Sequence, residues 1–167
     1  MSETVIDQVA LEFREVMARV CTPVAVITAF DDQRPHGTTV SAFTSLSMGP
    51  PMVLVSLDRG SDLLAIIRRT GRFGVNVLAH DQADVAMRFA RKAPTSSTGS
   101  SGRSRLHSPR LDGTSGWLAC TTESLVDGGD HVVALGNIAA TGVAPPVAPL
   151  TYHDRVFGTH RAFEVAS

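Results

Sequence analysis

Apolar positions recur at helical spacing near the start of the chain and then give way to alternation. Ile6, Val9, Ala10, Phe13, Val16, Met17 and Val20 share one helical face, while Asp7, Glu12, Arg14, Glu15 and Arg19 fall mostly elsewhere. This predicts an amphipathic helix over 6–20, packed on the body of the protein. Residues 23–30 are rich in β-branched side chains and predict a strand. Asp31-Asp32-Gln33-Arg34-Pro35 is turn chemistry and predicts a hairpin into the next strand. In that strand, His36-Gly37-Thr38-Thr39-Val40-Ser41-Ala42-Phe43-Thr44-Ser45-Leu46-Ser47, hydroxyl and small side chains alternate with a few apolar ones. One face would meet a core and the other something polar. Pro50-Pro51 stops the ladder, and the apolar run 52–57 predicts a buried strand.

The second half repeats the pattern. Ser61 or Asp62 can cap a helix carrying Leu63, Leu64, Ile66 and Ile67, which Gly71 ends. Alternating Phe73, Val75 and Val77 predict a strand over 72–78, and Asp81 would cap a short helix through Ala90 with Val85, Ala86 and Phe89 inward. Strands over 117–126 and 131–141 flank the hairpin turn Asp127-Gly128-Gly129-Asp130. Pro145, Pro146 and Pro149 mark an irregular crossing before a last strand over 161–165. Six or seven strands joined by turns, with few short helices, predict a mainly β protein with an antiparallel barrel rather than an alternating parallel sheet.

Composition narrows the class. A chain of 167 residues favours a single domain over 1–167. The linker-like run Thr95-Ser96-Ser97-Thr98-Gly99-Ser100-Ser101-Gly102 could mark a boundary, but the C-terminal remainder would be a small all-β piece without a core helix. A long mobile loop within one domain is expected instead, with Arg91, Lys92, Arg103 and Arg105 around it, acting as a flap over 95–104. A net charge of -1 gives no general attraction to nucleic acid or acidic membrane. No apolar run approaches the roughly 20 residues of a membrane helix. Met1-Ser2-Glu3-Thr4 is not a basic region leading into an apolar stretch, and Cys21 and Cys120 stand alone, so a cytoplasmic, reducing location is expected.

Several chemistries are disfavoured. The six histidines lack metal-ligand spacing, so no metal is expected. Ser45 and Ser47 lack a nucleophile elbow, Cys120 lies mid-strand, and no GxGxxG or Walker pattern follows a strand. Two features remain. The hydroxyl-rich stretch, with backbone N–H groups at its turn, suits an anionic ligand as well as it suits solvent. His131 sits beside Asp130 at the mouth end of a strand, as a surface ion pair or as a site residue.

The ordered set of motifs resembles the flavin reductase family with the FMN-binding split barrel, the reductase components of two-component flavin-dependent monooxygenases. The resemblance runs through Phe13-Arg14, Pro23-Val24-Ala25-Val26-Ile27-Thr28-Ala29, His36-Gly37-Thr38-Thr39 and Ser45-Leu46-Ser47-Met48-Gly49-Pro50-Pro51. It continues at Gly71-Arg72-Phe73-Gly74-Val75-Asn76-Val77-Leu78, Phe89-Ala90, Gly129-Asp130-His131, Leu135-Gly136 and Pro149-Leu150-Thr151-Tyr152. It implies hydride transfer from NADH or NADPH to FMN or FAD, a homodimer, and delivery of reduced flavin to a partner monooxygenase. It implies flavin contacts at Thr39, Val40, Ser41, Ala42, Ser45, Ser47, Ser61, Phe89, Arg91 and Lys92. Asn76 is either such a contact or a strand-end hydrogen-bonding residue. His131, with Tyr152 and Arg155 near it, is implied on the nicotinamide side. Two alternatives stay open: a split-barrel flavoenzyme acting on a bound organic substrate, and a flavin carrier without catalysis.

Overall fold

A computed structural model describes residues 3–32, 34–91 and 108–163. In chain order the elements are α1 (Glu3–Ala18), β1 (Thr22–Pro23), β2 (Ala25–Asp31), β3 (Arg34–Val40), β4 (Phe43–Met48) and β5 (Pro51–Asp58). Then come α2 (Asp62–Thr70), β6 (Arg72–Val77), α3 (Ala83–Ala90), β7 (Gly116–Gly128), β8 (His131–Val143), β9 (Leu150–His153) and β10 (Val156–Thr159). Seven strands form one antiparallel sheet in the order β3-β2-β6-β7-β8-β5-β4, and β1-β9-β10 form a second.

The sheet order explains the shape. Its two edge strands, β3 and β4, are consecutive in sequence and joined only by Ser41-Ala42. Three peptide links span at most about 11 Å, so the sheet must curl until its edges nearly meet. The edges remain unpaired with each other, giving an antiparallel split barrel.

Strand β2 shows how the sequence builds two cores at once. Ala25, Ile27 and Ala29 face the barrel interior with Val55, Leu57, Phe73, Val75 and Val132, and Leu63, Leu64, Ile66 and Ile67 of α2 plug it. Val26, on the other face of β2, joins Val24, Leu78, Ala86 and Leu150 in a second cluster, against which Phe89 of α3 packs. A strand buried on both faces reads as a continuous apolar run, as 24–27 does. Gly71 ends α2 in the left-handed region (φ 66°), its N–H donating to the Ile67 carbonyl. Strands β6 and β7, on either side of the 92–107 stretch, pair directly from Arg72 opposite Thr121 to Val77 opposite Gly116.

Four expectations need correction. The stretch 36–47 is two strands, β3 and β4, on opposite sheet edges, and a bulge between Ser45 and Ser47 breaks the alternation at Leu46. Asp81 does not cap α3: its N-cap is Gln82, whose side chain accepts from the Ala79 N–H and donates to the Asp112 carbonyl. The final hairpin is β9–β10, and residues 161–163 carry no strand. Helix α1 forms, but its apolar face enters neither core: Val9, Phe13 and Val16 are 57%, 63% and 61% exposed. It is tied to the body at its C-terminal end, by the Asp154 N–H donating to the Ala18 carbonyl and an Arg155–Glu15 ion pair of 2.5 Å.

Candidate active site

A pocket of about 600 Å³ opens where the sheet edges approach each other. Its walls are His36 to Val40 of β3, the Ser41-Ala42 link, Ser56 to Asp58 at the end of β5, and Gly60 to Leu63 entering α2. Phe89, Ala90 and Arg91 at the end of α3 close one side, and His131 at the start of β8 the other. The volume lies within the usual range for cofactor and substrate sites.

The backbone sets this arrangement. Gly37 admits the Phe89 ring: a Cβ there would lie 2.9 Å from ring carbons Cδ1 and Cε1. The Thr39 hydroxyl donates to the Ala86 carbonyl at 2.6 Å, pinning α3 to β3. That hydroxyl's proton is therefore committed within the fold. The Ala42 carbonyl accepts from the Ser56 N–H at 2.9 Å, closing the link onto β5. Asp58 pairs with His131 in the β5–β8 ladder, which brings a histidine distant in sequence to the pocket rim. The Asp58 carboxylate accepts the Gly60 N–H at 2.7 Å and shapes the turn into α2. Ser61 is the N-cap of α2 but makes no side-chain cap bond, so its hydroxyl and the helix's first N–H groups are available at the pocket wall.

His131 Nδ1 lies 2.8 Å from Asp130 Oδ1. The hydrogen bond from His131, and then its charge, hold the Asp130 carboxyl below the usual aspartate range. An ionised Asp130 accepts, so Nδ1 carries the proton and Nε2 is the histidine nitrogen left for a ligand. His36, also in the lining, has its Nε2 buried without a hydrogen-bond partner among the described residues.

The structure thus brings Thr39, Val40, Ser41, Ala42, Ser61, Phe89, Arg91 and His131 to one pocket. It places other candidates elsewhere. Ser45 and Ser47 lie on β4, beyond the link, outside the pocket. Asn76 is fully buried and donates to the Val26 carbonyl and Thr28 hydroxyl while accepting from the Leu111 N–H; it knits strands together rather than meeting a ligand. Tyr152 packs against Phe157 in the small sheet, ring centroids 5.2 Å apart and tilted by 57°, and Arg155 pairs with Glu15; neither lines this chain's pocket. Lys92 and the stretch 95–104, where a flap is expected, lie outside the described residues. Sequence reading missed His36, Ser56, Asp58 and Asp62, which reach the pocket only through sheet closure.

The pocket fits a flavin. It offers the backbone of the 38–42 stretch, the Ser61 hydroxyl and the first N–H groups of α2, an arginine and the apolar flank of Phe89.

Comparison with known proteins agrees. Residues 17–161 match the family model for the flavin reductase like domain. The chain is 39% identical over 138 residues to the flavin-dependent monooxygenase reductase subunit HsaB of Mycobacterium tuberculosis, covering 82% of this chain and 74% of that protein. It superposes on the styrene monooxygenase flavin reductase of Pseudomonas putida S12 with a TM-score of 0.81 and 30% identity, over 90% of this chain and 98% of the other. It also matches the NADH:FAD oxidoreductase SgcE6 of Streptomyces globisporus, solved with NAD and FAD fragments, with a TM-score of 0.83 and 25% identity over 95% of both chains. The chain therefore belongs to the flavin reductase like domain family, and it is an NAD(P)H-dependent flavin reductase of the kind that serves a monooxygenase.

Proposed function

We propose that the pocket between β3, α2, α3 and His131 is where flavin and the nicotinamide donor meet. The observation that carries this reading is the convergence, in one cofactor-sized pocket, of the 38–42 backbone, the start of α2, Arg91 and His131. When bound, flavin supplies the chemistry of accepting a hydride from the nicotinamide. The protein's part is binding and orientation. The backbone N–H groups of 38–42 and the Ser61 hydroxyl hold polar atoms of the flavin, and Arg91 offsets phosphate charge. Phe89 supports an apolar ring. His131, its Nδ1 fixed by Asp130, presents Nε2 to the donor at the rim.

The reduced flavin leaves for a separate monooxygenase. The working unit is a homodimer in which a second copy covers the apolar face of α1. The two free cysteines, Cys21 exposed and Cys120 buried, suit a reducing, cytoplasmic compartment. Among the described residues no helix is long and apolar enough to cross a membrane.

Steady-state kinetics of His131→Ala test the site. The expected result is a donor KM raised about tenfold with flavin affinity changed less than about twofold, the pattern of a lost donor contact. Loss of flavin binding with an unchanged donor KM overturns the assignment.

A further inference from the structure

The hairpin tip that presents His131 has little packing of its own. The last residues of β7, Asp127 and Gly128, are exposed, as are Gly129 and Asp130. Gly129 sits at φ 67°, and it is the only one of the two turn residues with positive φ, which fits a type II′ hairpin turn. β5 already holds the hairpin where Asp58 pairs with His131, so only the turn ahead of that pair, Gly129-Asp130 with Asp127 beside it, is left to fray or sway unless a further contact holds it.

Arg59 does so. It lies in the turn between β5 and α2, one residue before the pocket-lining Gly60. Its backbone N–H donates to the Asp130 carbonyl at 3.0 Å. Its guanidinium donates through Nη2 to the Gly129 carbonyl at 3.0 Å and through Nη1 to the Asp127 carboxylate at 2.9 Å. Asp127, Gly129 and Asp130 are thus held by one arginine, which follows Asp58, the β5 partner of His131, at the entry to α2.

We propose that Arg59 is a positioning residue that clasps the β7–β8 turn to the α2 wall and so fixes the place of His131 over the pocket. The ion pair itself is exposed, with Arg59 45% and Asp127 77% accessible, so its share of global stability is small. Its effect falls on geometry: the guanidinium adds the Gly129 carbonyl and Asp127 to the Asp130 carbonyl that the backbone N–H of residue 59 already holds, and the Asp130 carboxylate in turn holds His131 Nδ1. Lysine can satisfy one of the side-chain contacts but not the fork that reaches Asp127 and Gly129 together.

The inference rests on His131 contacting the donor, and the test separates the two claims. NAD(P)H and flavin kinetics are measured for Arg59→Ala, Arg59→Lys, His131→Ala and the double variant Arg59→Ala/His131→Ala, with melting temperatures alongside. Arg59→Ala should raise the donor KM about fivefold, Arg59→Lys should recover part of that, and flavin affinity should stay within about twofold. In the double variant the Arg59 effect should vanish, because its route is through His131. If His131→Ala raises the donor KM but Arg59→Ala does not, or if the two effects multiply, the clasp is overturned while the site reading survives. If His131→Ala leaves the donor KM unchanged, the site reading itself fails, and this inference with it.

Discussion

Gly37 has no side chain where the Phe89 ring crosses β3, and an added Cβ would also lie 3.2 Å from the Ile27 carbonyl. Gly37→Ala must push Phe89 and the end of α3 outward. We expect a loss of about 1–3 kcal/mol in stability, as for other overpacked sites. Flavin affinity should fall with it, because Phe89 and Arg91 share that segment. Thermal unfolding and flavin titration check this; a variant with unchanged melting temperature and affinity contradicts the close packing of Phe89 on Gly37. At this scale the sequence is a partial guide. At Gly129-Asp130-His131 turn chemistry left a surface ion pair as open as a site residue, and it was the family resemblance that pointed to the pocket. Asn76 was ambiguous because its partners Val26, Thr28 and Leu111 come from distant segments. Thr39 is subtler: the residue reaches the pocket, but its hydroxyl donates to α3.

Helix α1 is the element whose sequence pattern and surroundings disagree most. The periodicity of Ile6, Val9, Phe13 and Val16 is that of a buried face, yet Ile6 is 51% exposed and its companions more so. A surface of this kind calls for a partner, which is the ground for the homodimer. Phe13→Asp is the direct check. Sedimentation velocity should show a dimer for the natural chain and a shift toward monomer for the variant. A natural chain that stays monomeric at micromolar concentration contradicts the dimer. Elements with strong local punctuation, such as α2 ended by Gly71, were readable from sequence. The Asp81 cap was not, because Gln82 is engaged by Ala79 and Asp112, a contact set by the tertiary fold. The β3–β4 break was also hidden: a two-residue link between edge strands leaves no proline or glycine to announce it.

For the molecule as a whole, the pocket is a product of closure. Residues 36–42, 56–58, 60–63, 89–91 and 131 are far apart in sequence and meet because β3 and β4 bring the sheet's edges together. Strand alternation was enough to suggest a barrel, but the register that sets Asp58 opposite His131 needed the structure. The claim that this seam seats the flavin has one most direct test, a crystal structure of the protein soaked with FMN or FAD. Flavin density is expected along the 38–42 backbone, with its charged portion near Ser61 or Arg91 and His131 at the rim. Flavin bound instead at a site remote from these residues, with the pocket empty, would contradict the claim.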